Sequence, residues 1–301
     1  MDKNAPHPHT SEQPLPDVDA LIVGAGPAGL QAALTLGRMH RTALLVDDGR
    51  PRNAAAGHMH NFLTHDGTPP EAFRSIARAQ LAAYATVSQL DARLEAIRPL
   101  GEGGFAGTLS DGRGVTARRV VLATGVRDRL PEVEGLAEHF GTLVHHCPFC
   151  HGHELTGGRV GILVSPFSGH LAMLLGPIAD EVVLLDGLTS VAEVGGRLEA
   201  RLPDGSTEVL DGLFVRTELA PSAPHADQLG LERTEGGGIA VDLMGRTSLP
   251  GVFAAGDAAH HRDLPMPSAS VLAAAAAGQA AGAAVVADLI MEPAVREPAH
   301  A

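Results

Sequence analysis

The sequence DALIVGAGPAG, residues 19–29, decides the fold of this chain. Its apolar first half predicts a short strand, and its second half has the G-x-G-x-x-G spacing of a tight turn that leads into a helix, here to about Met39. A second predicted strand, residues 42–46, ends at Asp47. Such glycines let the backbone approach a pyrophosphate at a helix N-terminus, and the acid accepts ribose hydroxyls. The pattern therefore predicts the βαβ beginning of a dinucleotide-binding domain.

Composition limits the remaining possibilities. With 301 residues, 45% of them hydrophobic, the chain can bury two medium-sized cores, so we expect two lobes. The net charge of −13 argues against a nucleic-acid partner or an anionic membrane surface. The longest apolar stretch, residues 271–286, is rich in Ala and Gly and predicts a buried helix rather than a membrane span. Residues 1–16 lack the apolar core of a signal peptide, so we expect a cytoplasmic protein.

Two further apolar strands end at turns of small residues. Short β-like runs over residues 91–121 predict an antiparallel meander, and the last of them leads into Ala123-Thr124-Gly125. A strand over residues 251–255 ends at Gly256-Asp257 and precedes a long apolar helix.

The only two cysteines, Cys147 and Cys150, form a C-x-x-C pair followed by His151. This spacing suits redox exchange or metal binding, and in the cytoplasm a purely structural disulfide would be unusual. The C-x-x-C-H pattern also occurs at haem attachment sites, which require export. A zinc site that includes His151 and His153 is the other alternative, although adjacent ligands at 150 and 151 would strain a tetrahedral site.

Four motifs occur in one order, namely GAGPAG (24–29), ATG (123–125), CPFC (147–150) and AAGD (254–257). Together they resemble the two-dinucleotide-domain flavoprotein disulfide reductases, specifically the low-molecular-weight thioredoxin reductase group. That resemblance implies an α/β fold in which a Rossmann-like FAD domain (17–126 and 243–291) is interrupted by a shortened second Rossmann-like domain (127–242), with tails at 1–16 and 292–301. It also implies a homodimer.

The resemblance assigns the flavin contacts. The pyrophosphate of FAD would lie on Gly24–Gly29, the adenosine ribose on Asp47 and the ribityl chain on Asp257, while a helix starting near Ser268 would direct its positive end at the flavin. The FAD-binding residues expected on this basis are Gly24, Gly26, Pro27, Ala28, Gly29, Asp47, Arg52, Asn53, Ala123, Thr124, Gly125, Gly256, Asp257 and Ser268.

Two short sequence motifs point to one branch of the thioredoxin reductase group. HCPFCHGHE (146–154) and DGRPRNA (48–54) look most like the dithiol oxidases that close disulfides in natural products such as gliotoxin and holomycin, as in antibiotic biosynthesis, and pass the electrons to oxygen. Thioredoxin reductases usually carry an acid after the second cysteine, where this chain has His151.

The second nucleotide motif that a reductase needs for NADPH is damaged. After the strand over 159–164 the chain reads Ser165-Pro166-Phe167-Ser168-Gly169-His170, which lacks the three-glycine turn, and Pro166 removes an N–H group. The next strand ends at Asp186-Gly187 with no arginine for a 2′-phosphate. We therefore expect oxygen, or a protein acceptor, to reoxidise the flavin.

The predicted activity is that of an FAD-dependent dithiol oxidase that forms a disulfide in a small-molecule dithiol, with oxygen reduced to hydrogen peroxide. By resemblance, Cys150 faces the flavin and Cys147 exchanges with the substrate. His151 is the predicted acid–base group, because an unperturbed imidazole titrates near neutral pH. Two alternatives stay open: a disulfide reductase with an unusual electron donor, and a non-enzymatic flavin redox sensor.

Several further residues are weaker predictions. The expected substrate-pocket residues are Phe149, His146 and Met266, and a flavin-lobe loop also carries His58, His60 and His65. No metal, nucleic-acid partner or membrane association is expected.

Overall fold

The computed structural model describes residues 15–101, 103–264 and 269–291. The first part of the chain builds one large sheet and two helices. Its elements are β1 (Val18–Val23), α1 (Pro27–Arg38), β2 (Ala43–Asp47), α2 (Pro70–Leu81), β3 (Val87–Asp91), β4 (Leu94–Pro99), β5 (Phe105–Leu109) and β6 (Gly114–Leu122). The strand order is β3-β2-β1-β6-β5-β4, with β1 parallel to both of its neighbours and β4, β5 and β6 forming the predicted antiparallel meander.

The middle of the chain forms a second, smaller domain. Its strands and helices are β7 (Val126–Arg129), β8 (Val144–His145), α3 (Pro148–His151), β9 (Arg159–Leu163), α4 (Ser168–Leu175), β10 (Glu181–Leu185), β11 (Ser190–Val194), β12 (Arg197–Arg201), β13 (Thr207–Leu210), β14 (Gly212–Phe214) and β15 (Glu218–Pro221), with 3-10 turns at Ala137–His139 and His153–Leu155. A parallel sheet in the order β10-β9-β14-β8 has α4 on one face and the antiparallel β11-β12-β13 sheet on the other.

The chain then returns to the first domain. The remaining elements are α5 (His225–Gln228), β16 (Ile239–Val241), β17 (Val252–Ala254), a 3-10 turn (Gly256–Ala258), β18 (Ala259–His261) and α6 (Val271–Met291). Strand β17 joins the large sheet beside β6 and makes it seven-stranded. The fold is the expected one, a dinucleotide-binding domain interrupted by a shortened second one.

Helix α6 is long and apolar enough to cross a membrane by length and composition. In this fold it is a core helix, because it packs against α1 along a line of small residues. A Cβ on Gly278 would lie 2.1 Å from the carbonyl oxygen of Ala28, and one on Gly282 would lie 2.9 Å from the side chain of Thr35. The glycines therefore permit the close approach of the two helices that cover one face of the large sheet.

One predicted domain boundary is wrong. We expected the second domain to run to residue 242, but Ala226, Leu229 and Val241 are buried in the core beneath the large sheet. The chain leaves the first domain through β7 and returns through β15, and these two strands pair with each other antiparallel. The second domain therefore ends at β15, because the apolar residues that follow it complete the first core.

Candidate active site

The Gly24–Gly29 turn joins β1 to α1 as predicted. Gly24 has φ +103°, and a Cβ there would lie 2.4 Å from the carbonyl oxygen of Ala123, while one on Gly29 would lie 1.8 Å from the oxygen of Gly24. Gly26 differs, because a Cβ at this position would meet no protein atom within 4 Å. Two of the glycines are thus required for packing, and Gly26 keeps an open cradle at the N-terminus of α1, where Pro27 begins the helix.

Asp47 ends β2 and lies beside that turn. One carboxylate oxygen accepts a hydrogen bond of 2.9 Å from the backbone N–H of Ala25, and the other accepts one of 3.0 Å from the guanidinium of Arg78. The carboxylate is therefore fixed in orientation against the turn. Arg78 was not predicted, since it lies on α2, 31 residues away in sequence.

A cavity of about 580 Å³ runs from this turn to the cysteine pair, within the usual range of about 300–1,000 Å³ for ligand sites. Twelve of the predicted FAD-binding residues line it: Gly24, Gly26, Pro27, Ala28, Asp47, Arg52, Asn53, Ala123, Thr124, Gly125, Gly256 and Asp257. Gly29 is at the turn but not in the lining, and Ser268 lies outside the described residues. The open cradle at Gly26 and the continuous lining fit a dinucleotide such as FAD.

The start of α6 also lines the cavity. Ser270 and Val271 are part of its wall, and the Ser270 hydroxyl accepts a hydrogen bond of 3.0 Å from the N–H of Ala273. Ser270 is thus an N-cap residue. A 21-residue helix therefore presents its positive end to the cavity.

Cys147 and Cys150 form a disulfide with a Cα–Cα distance of 5.3 Å. Cys147 is the N-cap residue of α3. Cys150 lines the cavity and Cys147 does not. This placement supports the assignment of Cys150 to the flavin side, an assignment that stays a prediction. Both half-cystines are partly exposed.

Three histidines surround the disulfide. The rings of His145 and His151 stack with centroids 4.4 Å apart and an interplanar angle of 17°. Among the described residues, the buried Nδ1 atoms of both rings have no hydrogen-bond partner. Burial, with a smaller effect of the charge on His151, lowers the pKa of His145 to about 3. Burial also lowers the pKa of His151, against an opposing effect of Glu154, so its imidazole is neutral at pH 7.

His146 directly precedes Cys147. Its ring stacks on Phe140 at a centroid distance of 5.7 Å, and its Nε2 is 3.5 Å from a guanidinium nitrogen of Arg52. Burial, followed by the charge of Arg52, lowers its pKa. His146 lines the cavity as a neutral group rather than lying in a solvated loop.

Arg52 lies at the centre of a charge cluster. Its Nε and one Nη donate hydrogen bonds of 2.6 and 2.7 Å to the two carboxylate oxygens of Asp128, and the other Nη donates one of 2.9 Å to Asp257. Thr217 donates a further bond of 2.6 Å to Asp128. Burial would lower the pKa of Arg52, but the hydrogen bonds and charges of the two carboxylates outweigh it and raise that pKa. Asp128 and Thr217 were not predicted, because no local motif marks them.

The flavin-lobe loop supplies more of the wall. His58 and His60 line the cavity, whereas His65 packs against Phe62 and Phe73. His60 also lies 3.5 Å from the carboxylate of Glu154 in the second domain.

The remaining predicted site residues differ in where the structure places them. Asn53 accepts a hydrogen bond of 3.1 Å from Arg74, which also lines the cavity. The Phe149 side chain is outside this cavity and 68% exposed. Met266 lies outside the described residues. A role of Phe149 in substrate binding stays a prediction, for a substrate that approaches from the outer side of the disulfide.

The second nucleotide turn differs from the first in sequence and in its hydrogen bonds. The backbone N–H of Ser165 donates to the hydroxyl of Ser168 at 2.7 Å, and the guanidinium of Arg216 lies 4.9 Å from the ring centre of Phe167. Pro166 has no N–H to offer. This geometry supports the prediction that the turn is not a pyrophosphate site.

Comparison with known proteins identifies relatives over most of the chain. A family model described as pyridine nucleotide-disulphide oxidoreductase matches residues 18–164 and 181–282. The chain is 34% identical to thioredoxin reductase sirT of Leptosphaeria maculans (89% of this chain, 93% of that protein) and 32% identical to thioredoxin reductase tcpT of Claviceps purpurea (90% and 95%).

Solved structures give the same picture. An oxidoreductase from Agrobacterium tumefaciens matches with a TM-score of 0.83 and 33% identity, over 92% of this chain and 100% of that one. HlmI matches with a TM-score of 0.84 and 33% identity, over 91% and 93%.

Proposed function

Because this chain belongs to the pyridine nucleotide-disulphide oxidoreductase family and has the fold of its thioredoxin reductase-like flavoproteins, we propose that it is an FAD-dependent dithiol oxidase. It closes a disulfide in a small-molecule dithiol, and oxygen takes up the electrons. The observation that carries this proposal is the disulfide itself: Cys150 lines the same cavity as the Gly24–Gly29 turn, whereas the second nucleotide turn lacks the glycine pattern and has its Ser165 N–H bound to the Ser168 hydroxyl.

The cysteines carry out the exchange with the substrate. A substrate thiolate attacks Cys147, the sulfur on the outer side, and displaces Cys150 as a thiolate toward the cavity. The second substrate thiolate then attacks the first substrate sulfur, which is bonded to Cys147. The bond to Cys147 breaks, Cys147 leaves as a thiolate, and the substrate disulfide is released with the enzyme pair reduced. Two thiols of the substrate thereby lose two electrons and two protons.

FAD, when bound, supplies a two-electron acceptor that oxygen can reoxidise, and the protein residues prepare its site. The Gly26 cradle would hold the pyrophosphate and Asp47 the ribose, while α6 would direct its positive end toward negative charge on the flavin. Across the full cycle, one dithiol and one oxygen molecule give one disulfide and one hydrogen peroxide.

His151 takes the proton that the substrate thiol must lose. Its ring lies within the same cavity as Cys150, and burial keeps it neutral, so it can accept a proton at pH 7. Stacking on His145 fixes the plane of the ring. His145, whose pKa is about 3, stays uncharged throughout.

Purified flavin-loaded protein tests the proposal. With dithiothreitol as a small dithiol, we expect oxygen uptake and an equal amount of hydrogen peroxide. The matched control is Cys150→Ser, which keeps the flavin and loses both signals. Rapid anaerobic bleaching of the flavin by NADPH, with no oxidation of dithiothreitol, would indicate the reductase instead. A stable change of cysteine redox state without turnover would indicate a sensor.

A further inference from the structure

The two strands that connect the domains are joined to the cofactor cavity by buried charges. The chain crosses between domains in β7 and β15, which pair only with each other among the described strands. A two-stranded ribbon is marginally stable in water by itself. Asp128 lies in β7 with its side chain 6% exposed, and it binds Arg52 through both carboxylate oxygens and Thr217, the residue before β15, through one. Both crossings therefore meet at one carboxylate.

The opposite end of this cluster lies in the first domain. Arg52 belongs to the loop after β2, and its third hydrogen bond goes to Asp257 in the turn that lines the cofactor cavity. The fork of a guanidinium matches a carboxylate in one plane, so a bidentate pair fixes angle as well as distance. The three residues come from segments separated by 76 and 205 positions in sequence, and they fix the connecting strands relative to the cavity.

In the second domain, the strand that leads to Thr217 pairs with the strand that leads to Cys147. Strand β14 pairs with β8 through Leu213 with Val144 and Phe214 with His145. Thr217 follows β14 by three residues, and Cys147 follows β8 by two. Arg52 also lies 3.5 Å from His146, the residue before Cys147. The cluster thus contacts the segments that follow both strands of this pair, at Thr217 after β14 and at His146 after β8. The segment after β8 leads directly to the disulfide.

We propose that Arg52 is a positioning residue that clamps Asp128 to Asp257 and thereby holds Cys150 against the cofactor cavity. This inference rests on the proposed function for its kinetic consequence, but not for its structural one. Arg52 itself contacts no reacting sulfur, and its effect passes through the connecting strands. Because Asp128 does not line the cavity, the clamp can be opened at that residue without replacing a side chain that faces the cofactor site.

Asp128→Asn is therefore the principal variant, since it keeps the size of the side chain and removes its charge. Asp227→Asn is the control, because Asp227 also pairs with an arginine, Arg233, but its side chain is 72% exposed and it does not line the cavity or bind Arg52. In a Cys147→Ser background the free Cys150 thiolate gives a long-wavelength charge-transfer band with oxidised flavin. We expect Asp128→Asn to remove most of this band at unchanged flavin content, and Asp227→Asn to keep it.

With both cysteines intact, flavin reduction by dithiothreitol should slow by about ten- to a hundredfold in Asp128→Asn, the usual penalty for a displacement of about 1 Å at a reacting centre. Thr217→Val, which removes one hydrogen bond from the cluster and no charge, should give a smaller decrease. An unchanged band and rate in Asp128→Asn would overturn the proposal.

Hydrogen exchange on the flavin-free protein separates this inference from the proposed function. In Asp128→Asn, and less strongly in Thr217→Val, amides of residues 126–129 and 218–221 should exchange faster than in the wild type or in Asp227→Asn. Unchanged protection of both strands would refute the clamp even if the protein oxidises dithiols. If amides in Asp128→Asn exchange faster but the wild-type protein shows no dithiol turnover, the clamp is retained and the oxidase is rejected.

Discussion

Gly26→Ala separates the cofactor cradle from the packing of the fold. The backbone at Gly26 has φ −72° and ψ 179°, which any residue adopts, and an added Cβ meets no protein atom within 4 Å. Alanine is a poorer N-cap residue than glycine but restricts the unfolded chain. These effects oppose each other, so the free energy of unfolding should change by less than about 1 kcal/mol.

The effect on cofactor binding should be much larger. The new methyl group occupies the cradle that the pyrophosphate would fill, and it would displace a phosphate from at least one backbone N–H. A hydrogen bond to a charged group contributes about 1.5–3 kcal/mol, so the Kd for FAD should rise about ten- to a hundredfold. Fluorescence titration of the flavin-free protein with FAD measures the Kd, and urea unfolding measures the stability.

Gly169→Ala is the control for this substitution. Gly169 lies in the first turn of α4, where a Cβ also meets no protein atom within 4 Å, but it is outside the cavity. This variant should bind FAD with the wild-type Kd. An equal Kd for wild type and Gly26→Ala, at normal stability, would refute the placement of the pyrophosphate at this turn.

Three further predictions concern the disulfide and its histidines. Cys147→Ser should keep bound flavin and show the charge-transfer band of a Cys150 thiolate, whereas Cys150→Ser should show no such band; a band in the second variant would reverse the assigned roles. His151→Asn should slow dithiol oxidation about 10²- to 10⁴-fold. The wild-type rate should fall as the pH drops through the lowered pKa of His151, below 6.5. If the rate of His151→Asn shows the same fall at low pH, His151 is not the base. Because the folded pKa of His145 is depressed to about 3, the unfolded chain binds more protons below pH 6.5, and stability should decline toward acid by at most about 1.4 kcal/mol per pH unit. Urea unfolding at pH 7 and pH 5 should show a smaller loss for His145→Phe than for the wild type.

The parts of the site that follow from sequence are those set by local geometry. The Gly24–Gly29 turn and Asp47 were predictable because a strand, a turn and a helix impose fixed spacings on neighbouring residues. The cysteine pair was predictable for the same reason, since C-x-x-C spans a single helical turn. Short-range constraints of this kind leave a readable pattern in the chain.

The Arg52 cluster leaves no such pattern. Arg52 appeared only as a predicted flavin contact, whereas three of its N–H groups bind Asp128 and Asp257. Asp128 looks like an ordinary strand residue in a sequence with 35 acids, and its role depends on pairing between β7 and β15. The boundary at residue 242 failed similarly, because the apolar residues after β15 do not reveal which of two cores they complete.

The protonation state of His151 determines what this residue can do for a substrate thiol. Oxidation of a dithiol releases two protons, so the site needs a group that is uncharged at rest and can accept one. A buried imidazole whose pKa is lowered by desolvation meets this requirement. Reduction of a disulfide needs a proton donor instead, for which a carboxylic acid with a raised pKa is suited. The residue after Cys150 is a neutral histidine stacked on a second neutral histidine, so this position offers a free base to substrate thiols at pH 7 and no carboxylic acid.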